Sequence, residues 1–106
     1  GVDVKIIILN NNFLGMVRQW QELFFEKRYS QTPMLNPNFV MLANAYGIEG
    51  AEVTCREELD GAIEKMLSHK GAYLLNVNVI EKGMVFPMIP AGAGVSDIML
   101  TATEKY

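Results

Sequence analysis

The amino-acid sequence predicts an α/β fold built on a small parallel sheet. Aliphatic runs of strand length alternate with segments whose apolar residues recur every three or four positions, which is the helical period. Strands separated by helices usually lie parallel and are joined by right-handed crossovers. We therefore expect about three strands, three helices and an irregular C-terminal arm.

The first strand and the first helix are predicted from hydrophobic patterning. Val4–Leu9 is a continuous β-branched and aliphatic run, typical of a strand that is covered on both faces. From Gly15 to about Lys27 the apolar positions repeat with helical spacing and indicate an amphipathic helix. Its apolar stripe comprises Met16, Val17, Trp20, Leu23 and Phe24. A polar, proline-bearing loop is predicted next, over residues 28–38.

The second helix is predicted from its terminal residues. Asn36 followed by Pro37 is a strong helix start, because asparagine caps unpaired amides and proline is tolerated at the first helical position. Gly47 is expected to end this helix. Its buried face should carry Phe39, Leu42, Ala43 and Tyr46.

The third helix and the last two strands follow. Thr54 and Glu57 match a capping box, and Gly71 is expected to end the helix. The buried stripe of this helix should comprise Leu59, Ala62, Ile63, Met66 and Leu67. Strands are predicted over residues 51–54 and 72–80, the latter with one face less apolar because of Asn76 and Asn78.

We divide the chain into a partial domain over residues 1–81 and an irregular arm over residues 82–106. In the arm, prolines and glycines interrupt the apolar pattern. Because the sequence enters a strand almost at once and lacks an initiator methionine, we expect it to be a segment of a longer protein.

Composition excludes several classes of function. The net charge is −3 and no dense basic run occurs, so no nucleic-acid partner is expected. Cys55 and His69 are the only cysteine and histidine, which excludes an intramolecular disulfide and a structural zinc cluster. No apolar run is long enough to span a bilayer, so no membrane partner is expected and a cytoplasmic location is predicted by default.

Three asparagines, Asn10 to Asn12, lie between the first strand and the first helix. In a parallel sheet, ligands bind beyond the carboxyl ends of the strands, where this loop would lie. An amide oxygen can bind Mg²⁺ when phosphates supply the charge, and a helix N-terminus attracts an anion. The residues themselves also allow a structural alternative, in which the asparagines only cap the helix and shape the turn.

Longer blocks of sequence carry a resemblance. "VKIIILNNNFLGMVRQWQELFFEKRYS", "NPNFVMLANAYGIEG" and "VFPMIPAGAG" resemble the C-terminal part of the large catalytic subunit of acetolactate synthase, also called acetohydroxyacid synthase. The resemblance is weakest over residues 55–70. It implies the C-terminal half of a doubly wound, parallel-sheet domain that binds thiamine diphosphate.

The resemblance also implies roles for particular residues. Asn11 would provide a side-chain ligand to Mg²⁺ and Phe13 a carbonyl ligand, while the family's aspartate ligand would lie upstream of Gly1. The cofactor-binding segment would comprise Asn11, Asn12, Phe13, Leu14, Gly15 and Met16. The pocket for substrate and inhibitors would comprise Met16, Val17, Trp20 and Ala91. No catalytic residue is expected in this chain, because the family's key glutamate belongs to a neighbouring subunit.

The implied reaction condenses two pyruvates to 2-acetolactate, or pyruvate and 2-ketobutyrate to 2-aceto-2-hydroxybutyrate, with loss of CO₂. It belongs to the biosynthesis of branched-chain amino acids. The resemblance implies thiamine diphosphate and Mg²⁺ as cofactors, and FAD bound elsewhere in the full-length enzyme. It also implies a homodimer or homotetramer with a regulatory small subunit.

Two alternatives remain from the sequence. One is another thiamine-diphosphate enzyme, of the glyoxylate carboligase or pyruvate oxidase type, against which "GMVRQWQ" and "PMIPAGAG" argue. The other is a non-catalytic α/β assembly module. Under the leading interpretation, the isolated chain is expected to be inactive.

Overall fold

A computed structural model describes residues 2–102 and divides the chain into two compact units. The first unit comprises Gly1–Asn12 and Met34–Ile80, and the second comprises Phe13–Pro33 and Glu81–Tyr106. The second segment of the second unit begins at Glu81, one residue before the predicted start of the arm at residue 82. Residue 1 and residues 103–106, the last four of the predicted arm, lie outside the described residues.

The first unit is built on a three-stranded parallel sheet. Its strands are β1 (Lys5–Asn10), β2 (Glu49–Val53) and β3 (Tyr73–Asn78), in the order β1-β3-β2. This arrangement confirms the predicted α/β class. The prediction that the first strand is covered on both faces was wrong for the residues described. The helices of this unit pack on β2 and β3 rather than on β1, and Leu9 is 70% exposed.

Helix α3 (Arg56–Ser68) packs on one face of this sheet. The buried core comprises Val53, Met66, Tyr73 and Leu75, against which Leu59, Ala62 and Ile63 also pack. These residues confirm most of the predicted stripe, but Leu67 is exposed because it lies on the outer side of the helix.

The predicted start and end of α3 were both displaced. The helix begins at Arg56, so Cys55 takes the capping position and makes no side-chain capping bond. Glu57 is therefore the second helical residue, whereas a capping box needs the third, and the Thr54–Glu57 box does not form. At the other end, the helix stops at Ser68, and Gly71 lies beyond it in a left-handed conformation.

Helix α2 (Phe39–Ala45) has a different cap from the predicted one. The Asn38 side chain accepts a hydrogen bond from the Met41 amide at 2.9 Å, so the helix starts two residues later than Asn36 and Pro37 suggested. Gly47 ends the helix as predicted. Its φ of 71° is left-handed, and its amide donates to the Asn44 carbonyl at 2.9 Å.

Close packing of α2 on the sheet requires a glycine in β2. A Cβ atom at Gly50 would lie 3.1 Å from the Leu74 carbonyl oxygen and 3.7 Å from the Cβ of Ala43. Ala43 is the buried residue of α2, whereas Leu42 and Tyr46 are exposed. The predicted buried face was therefore only partly correct, because the short helix meets the sheet along a narrow strip.

The second unit contains α1 (Gly15–Phe24) and the C-terminal arm. The helix ends before the predicted Lys27, because Glu26 and Lys27 both have left-handed φ values, 53° and 60°. In the arm, Met88 and Met99 form an isolated antiparallel bridge, and a single 3₁₀ turn covers Val95–Asp97. Within residues 2–102, no helix combines the length and apolarity needed to cross a membrane.

The buried side of α1 is the opposite of what amphipathicity suggests. Its buried residues are Arg18 and Gln19, 6% and 1% exposed. In the predicted apolar stripe, Met16, Val17, Trp20 and Phe24 are all exposed to more than a third. The helix is confirmed, but this stripe faces outward from the second unit.

Candidate functional site

The side chain of Asn10 organises the end of β1. Its Oδ1 accepts hydrogen bonds from the Asn12 amide at 3.1 Å and from Nδ2 of Asn36 at 2.9 Å. Asn12 has a φ of 56°, a left-handed conformation that asparagine tolerates better than most residues. The oxygen of Asn10 is therefore committed to shaping the turn, and Asn36 supports it from the following loop.

Polar side chains continue across the sheet from Asn10. Asn76 is buried, and its Nδ2 donates to Oε1 of Glu52 at 3.0 Å. Nδ2 of Asn78 donates to the same oxygen at 2.8 Å. These three residues belong to the face that carries Asn10, so the prediction that one face of β3 is less apolar is confirmed.

The chain after the turn is fixed through its backbone. The Asn12 carbonyl accepts from the Met34 amide at 2.8 Å, within the first unit. In the second unit, the Leu14 amide donates to the Thr32 carbonyl at 2.8 Å, and Phe13 lies opposite Pro33 in an antiparallel bridge.

The N-terminus of α1 has features that suit an anionic ligand. Leu14 occupies the capping position and provides no side-chain hydrogen bond, and the first turn holds no acidic residue. The first amides of a helix lack partners within the helix and carry partial positive charge. Nothing in the side-chain chemistry of this turn opposes a bound phosphate.

Arg18 is the charged centre of the second unit. Its guanidinium lies 3.1 Å from Oε2 of Glu22, and 5.3 and 5.0 Å from the ring centroids of Phe13 and Tyr29. The Tyr29 hydroxyl donates to the same Glu22 oxygen at 2.9 Å. Desolvation, followed by the Glu22 hydrogen bond, raises the pKa of Tyr29, while Arg18 acts to lower it. Glu22 thus neutralises the buried charge of Arg18, and the guanidinium lies over the ring of Phe13, whose carbonyl is a predicted metal ligand.

The outward stripe of α1 forms one wall of a groove within the second unit. This groove, here called the Trp20 groove, has a volume of about 480 Å³. Its lining includes Trp20, Phe24, Phe25, Met88, Pro90 and Ala91.

The structure brings some predicted pocket residues together and separates others. Trp20 and Ala91 lie 71 positions apart in sequence and line the same groove. Val17 lines an adjoining depression that also contains Trp20. Met16 is half exposed and lines neither of these two.

Two residues that position the site were not predicted. Asn36 was assigned to a helix cap but instead holds Asn10, and Gln19, lying between Arg18 and Trp20, was not singled out. Asn36 was missed because the proline that follows it made it resemble a helix cap. Gln19 had no signal in the sequence, because the backbone groups that it contacts belong to Val85, far along the chain.

The metal-binding capacity of the loop is limited by its donors. Among residues 2–102 there is no group of three or more histidine, cysteine, aspartate or glutamate side chains arranged to hold a metal ion. The loop offers neutral amide and carbonyl oxygens, which suit Mg²⁺ when phosphates or outside carboxylates supply the charge. The donor set fits a magnesium diphosphate rather than a free metal ion.

A parallel sheet with a polar turn at the carboxyl end of β1 is the arrangement typical of ligand-binding α/β domains. More particularly, the chain belongs to the family described as thiamine pyrophosphate enzyme, C-terminal TPP binding domain, whose model matches residues 1–77.

Similar proteins agree with this family. The chain is 46% identical over 99 residues to "Acetolactate synthase isozyme 2 large subunit" of Escherichia coli, covering 92% of this chain and 18% of that protein. It is 48% identical over 99 residues to "Acetolactate synthase catalytic subunit, mitochondrial" of Saccharomyces cerevisiae, covering 93% and 14%. "Acetolactate synthase 2, chloroplastic" of Nicotiana tabacum is 41% identical over 106 residues, with 92% and 16% covered. The chain thus spans less than a fifth of the length of these relatives.

Proposed function

We propose that this chain forms the C-terminal part of the thiamine-diphosphate-binding domain in the catalytic subunit of an acetolactate synthase. The full-length enzyme condenses two pyruvates to 2-acetolactate, or pyruvate and 2-ketobutyrate to 2-aceto-2-hydroxybutyrate, with loss of CO₂. Identities of 46% and 48% to proteins carrying that name support the proposal. By itself the chain is inactive, because the relatives are far longer than the part it matches.

The observation that carries the proposal is the turn at the end of β1. Asn10 accepts two hydrogen bonds and holds the turn in which Asn12 is left-handed, so the oxygen of Asn10 serves the fold. The ligand role of Asn11 is proposed from the resemblance to the family. Leu14, the residue at the capping position of α1, makes no side-chain capping bond. The structural alternative, in which the asparagines cap the helix and shape the turn, agrees with Asn10 and Asn12 in its second part, so the ligand role of Asn11 is what distinguishes our proposal from it.

The assigned residues fit a magnesium diphosphate. The Asn11 side chain and the Phe13 carbonyl would bind Mg²⁺, and a carboxylate from outside this chain would complete the charge. Asn12, Leu14, Gly15 and Met16 complete the segment beside the cofactor, where the α1 amides favour negative charge. When bound, thiamine diphosphate supplies the carbon centre that attacks the 2-keto acid and accommodates the electrons left by decarboxylation.

The protein's own part in the second half-reaction is to orient the acceptor. We assign the acceptor 2-keto acid to the Trp20 groove, with Trp20 and Ala91 on its two sides and Val17 and Met16 towards the cofactor segment. The groove is lined mainly by apolar side chains, which suit the alkyl group of a 2-keto acid. Inhibitors of this site would stack on the exposed Trp20 ring.

Further properties are proposed for the full-length enzyme. They are Mg²⁺ dependence, FAD bound outside this segment, a homodimer or homotetramer of catalytic subunits, and a regulatory small subunit. A cytoplasmic location is also proposed. The names of the yeast and tobacco relatives specify mitochondria and chloroplasts, so cell fractionation is the direct test of location.

The proposal is tested by product formation from pyruvate. The full-length protein should form 2-acetolactate only when both thiamine diphosphate and Mg²⁺ are present. Condensation of glyoxylate, or oxidation of pyruvate without acetolactate, would assign the protein to another thiamine-diphosphate class. Absence of any turnover, with intact cofactor binding, would favour the assembly module.

A further inference from the structure

Gln19 on α1 makes an unusual set of contacts for a glutamine. The side chain is almost fully buried, whereas glutamine is mostly exposed in folded proteins. Its Oε1 accepts a hydrogen bond from the Val85 amide at 2.7 Å, and its Nε2 donates to the Val85 carbonyl at 3.0 Å. Nε2 also lies 3.1 Å from Sδ of Met88. One side chain thus satisfies both polar backbone groups of Val85.

This pairing fixes the arm in orientation as well as in position. A primary amide presents a donor and an acceptor in one plane, as the edge of a neighbouring strand would. A single hydrogen bond would let the backbone rotate about it, but two parallel bonds to the same residue do not. Val85 is therefore a point at which the arm is attached to α1 within the second unit.

The attachment point directly precedes the arm residues that line the Trp20 groove. Met88, which contacts Gln19, and Ala91 both belong to the lining. Trp20 follows Gln19 in the helix, and adjacent helical residues point in different directions. The helix accordingly directs Gln19 into the arm and Trp20 into the groove.

We propose that Gln19 is a positioning residue for the acceptor pocket. By fixing Val85, it sets the separation between Trp20 and Ala91, and hence the size of the 2-keto acid side chain that fits. The identity of the acceptor rests on the proposed function, whereas the attachment itself rests only on the contacts of Gln19.

The test uses Gln19→Met in the full-length protein. Methionine matches the length of glutamine and is an equally good helix former, but it cannot pair with a backbone amide. Gln31→Met is the matched control, since Gln31 is exposed and lies outside α1 and the arm. Hydrogen exchange of the Val85 amide reports the attachment without reference to activity. The ratio of 2-aceto-2-hydroxybutyrate to 2-acetolactate, formed from a fixed mixture of keto acids, reports the pocket independently of how much enzyme is folded.

In Gln19→Met, the Val85 amide should exchange about tenfold faster, because two hydrogen bonds are lost. The product ratio should also change, whereas Gln31→Met should alter neither quantity. Unchanged exchange would overturn the attachment, and faster exchange with an unchanged ratio would overturn the positioning role.

Two further outcomes remain decisive. If Gln19→Met does not fold, the wild type still provides a test. After correction for intrinsic rates, its Val85 amide should exchange at least about tenfold more slowly than that of exposed Gly83. Equal rates would overturn the inference. A wild type that forms no condensation product defeats the proposed function and, with it, the acceptor role, while the exchange data still decide whether Gln19 fixes the arm.

Discussion

Replacing Asn10 by alanine should destabilise the protein measurably. The substitution removes two well-formed hydrogen bonds, from the Asn12 amide at 3.1 Å and from Nδ2 of Asn36 at 2.9 Å. A third contact, to Oδ1 of Asn78 at 3.5 Å, is at the limit of hydrogen bonding and is given no weight. Each intramolecular hydrogen bond contributes on the order of 1 kcal/mol net, so the free energy of unfolding should fall by about 2 kcal/mol.

The assay is thermal or urea unfolding of the variant beside a matched control. For a domain of this size, a loss of about 2 kcal/mol lowers the melting temperature by about 10 °C. Asn44→Ala, on the exposed side of α2, is the control and should be neutral or slightly stabilising, since alanine favours helix. If Asn10→Ala lost less than about 0.5 kcal/mol, Asn10 would not be the organiser of the turn.

Three other perturbations test the packing, the electrostatics and the groove. Gly50→Ala should destabilise the protein by about 1–3 kcal/mol, because the added Cβ would lie 3.1 Å from a backbone oxygen. Gly61→Ala is the control and should not destabilise it, since open space surrounds Gly61. Equal urea midpoints for the two variants would refute the close packing at Gly50. The hydrogen bond and the charge of Lys65 hold the pKa of Glu49 below its ordinary value of 4.5. A carboxyl group whose pKa is lower in the folded state than in the unfolded state stabilises the fold at pH values above its unfolded pKa. That stabilisation is lost as the pH falls through the folded pKa. The stability difference between wild type and Glu49→Gln should therefore be present at neutral pH and vanish in acid; a difference independent of pH would contradict it. In the full-length enzyme, Trp20→Leu should shift the product ratio from mixed keto acids by roughly tenfold while sparing the fold, and an unchanged ratio would remove Trp20 from the pocket.

The sequence predicted the elements better than it predicted their ends. Hydrophobic patterning and terminal residues together identified the three strands and three α-helices that residues 2–102 form, because an apolar face and a cap are independent local signals. The caps were less well predicted. Asn36 with Pro37 has the right residue types for a helix start, but Asn36 bonds instead to Asn10, and Asn38 caps α2. Which asparagine caps α2 depends on the contact between Asn36 and β1, and the residues near the helix start do not reveal that contact.

The same reasoning explains why α1 was misjudged. Its apolar spacing predicts a helix correctly, but periodicity cannot say whether an apolar face meets a core or lines a groove. Burial of Arg18 depends on Glu22 and two aromatic rings, and burial of Gln19 depends on the backbone of Val85. Those partners compensate the desolvation of the polar side chains, and Val85 lies 66 positions from Gln19 in the sequence.

The resemblance supplied what composition and spacing could not, namely a family and a role for each loop residue. The physical structure then distinguishes among the three asparagines. Asn10 accepts the hydrogen bonds that hold the turn, and Asn12 adopts its left-handed conformation. Asn11 is proposed as the metal ligand on the resemblance to the family. This assignment is the central claim about the site.

The Mg²⁺ dependence of the full-length enzyme tests that claim most directly. Loss of a supporting residue alone costs metal affinity about 10–100-fold, so Asn11→Ala should raise the half-saturating Mg²⁺ concentration at least about tenfold. It should change the KM for pyruvate much less, and Asn44→Ala should change neither. A half-saturating Mg²⁺ concentration equal to that of the wild type would contradict the assignment of Asn11 as a metal ligand.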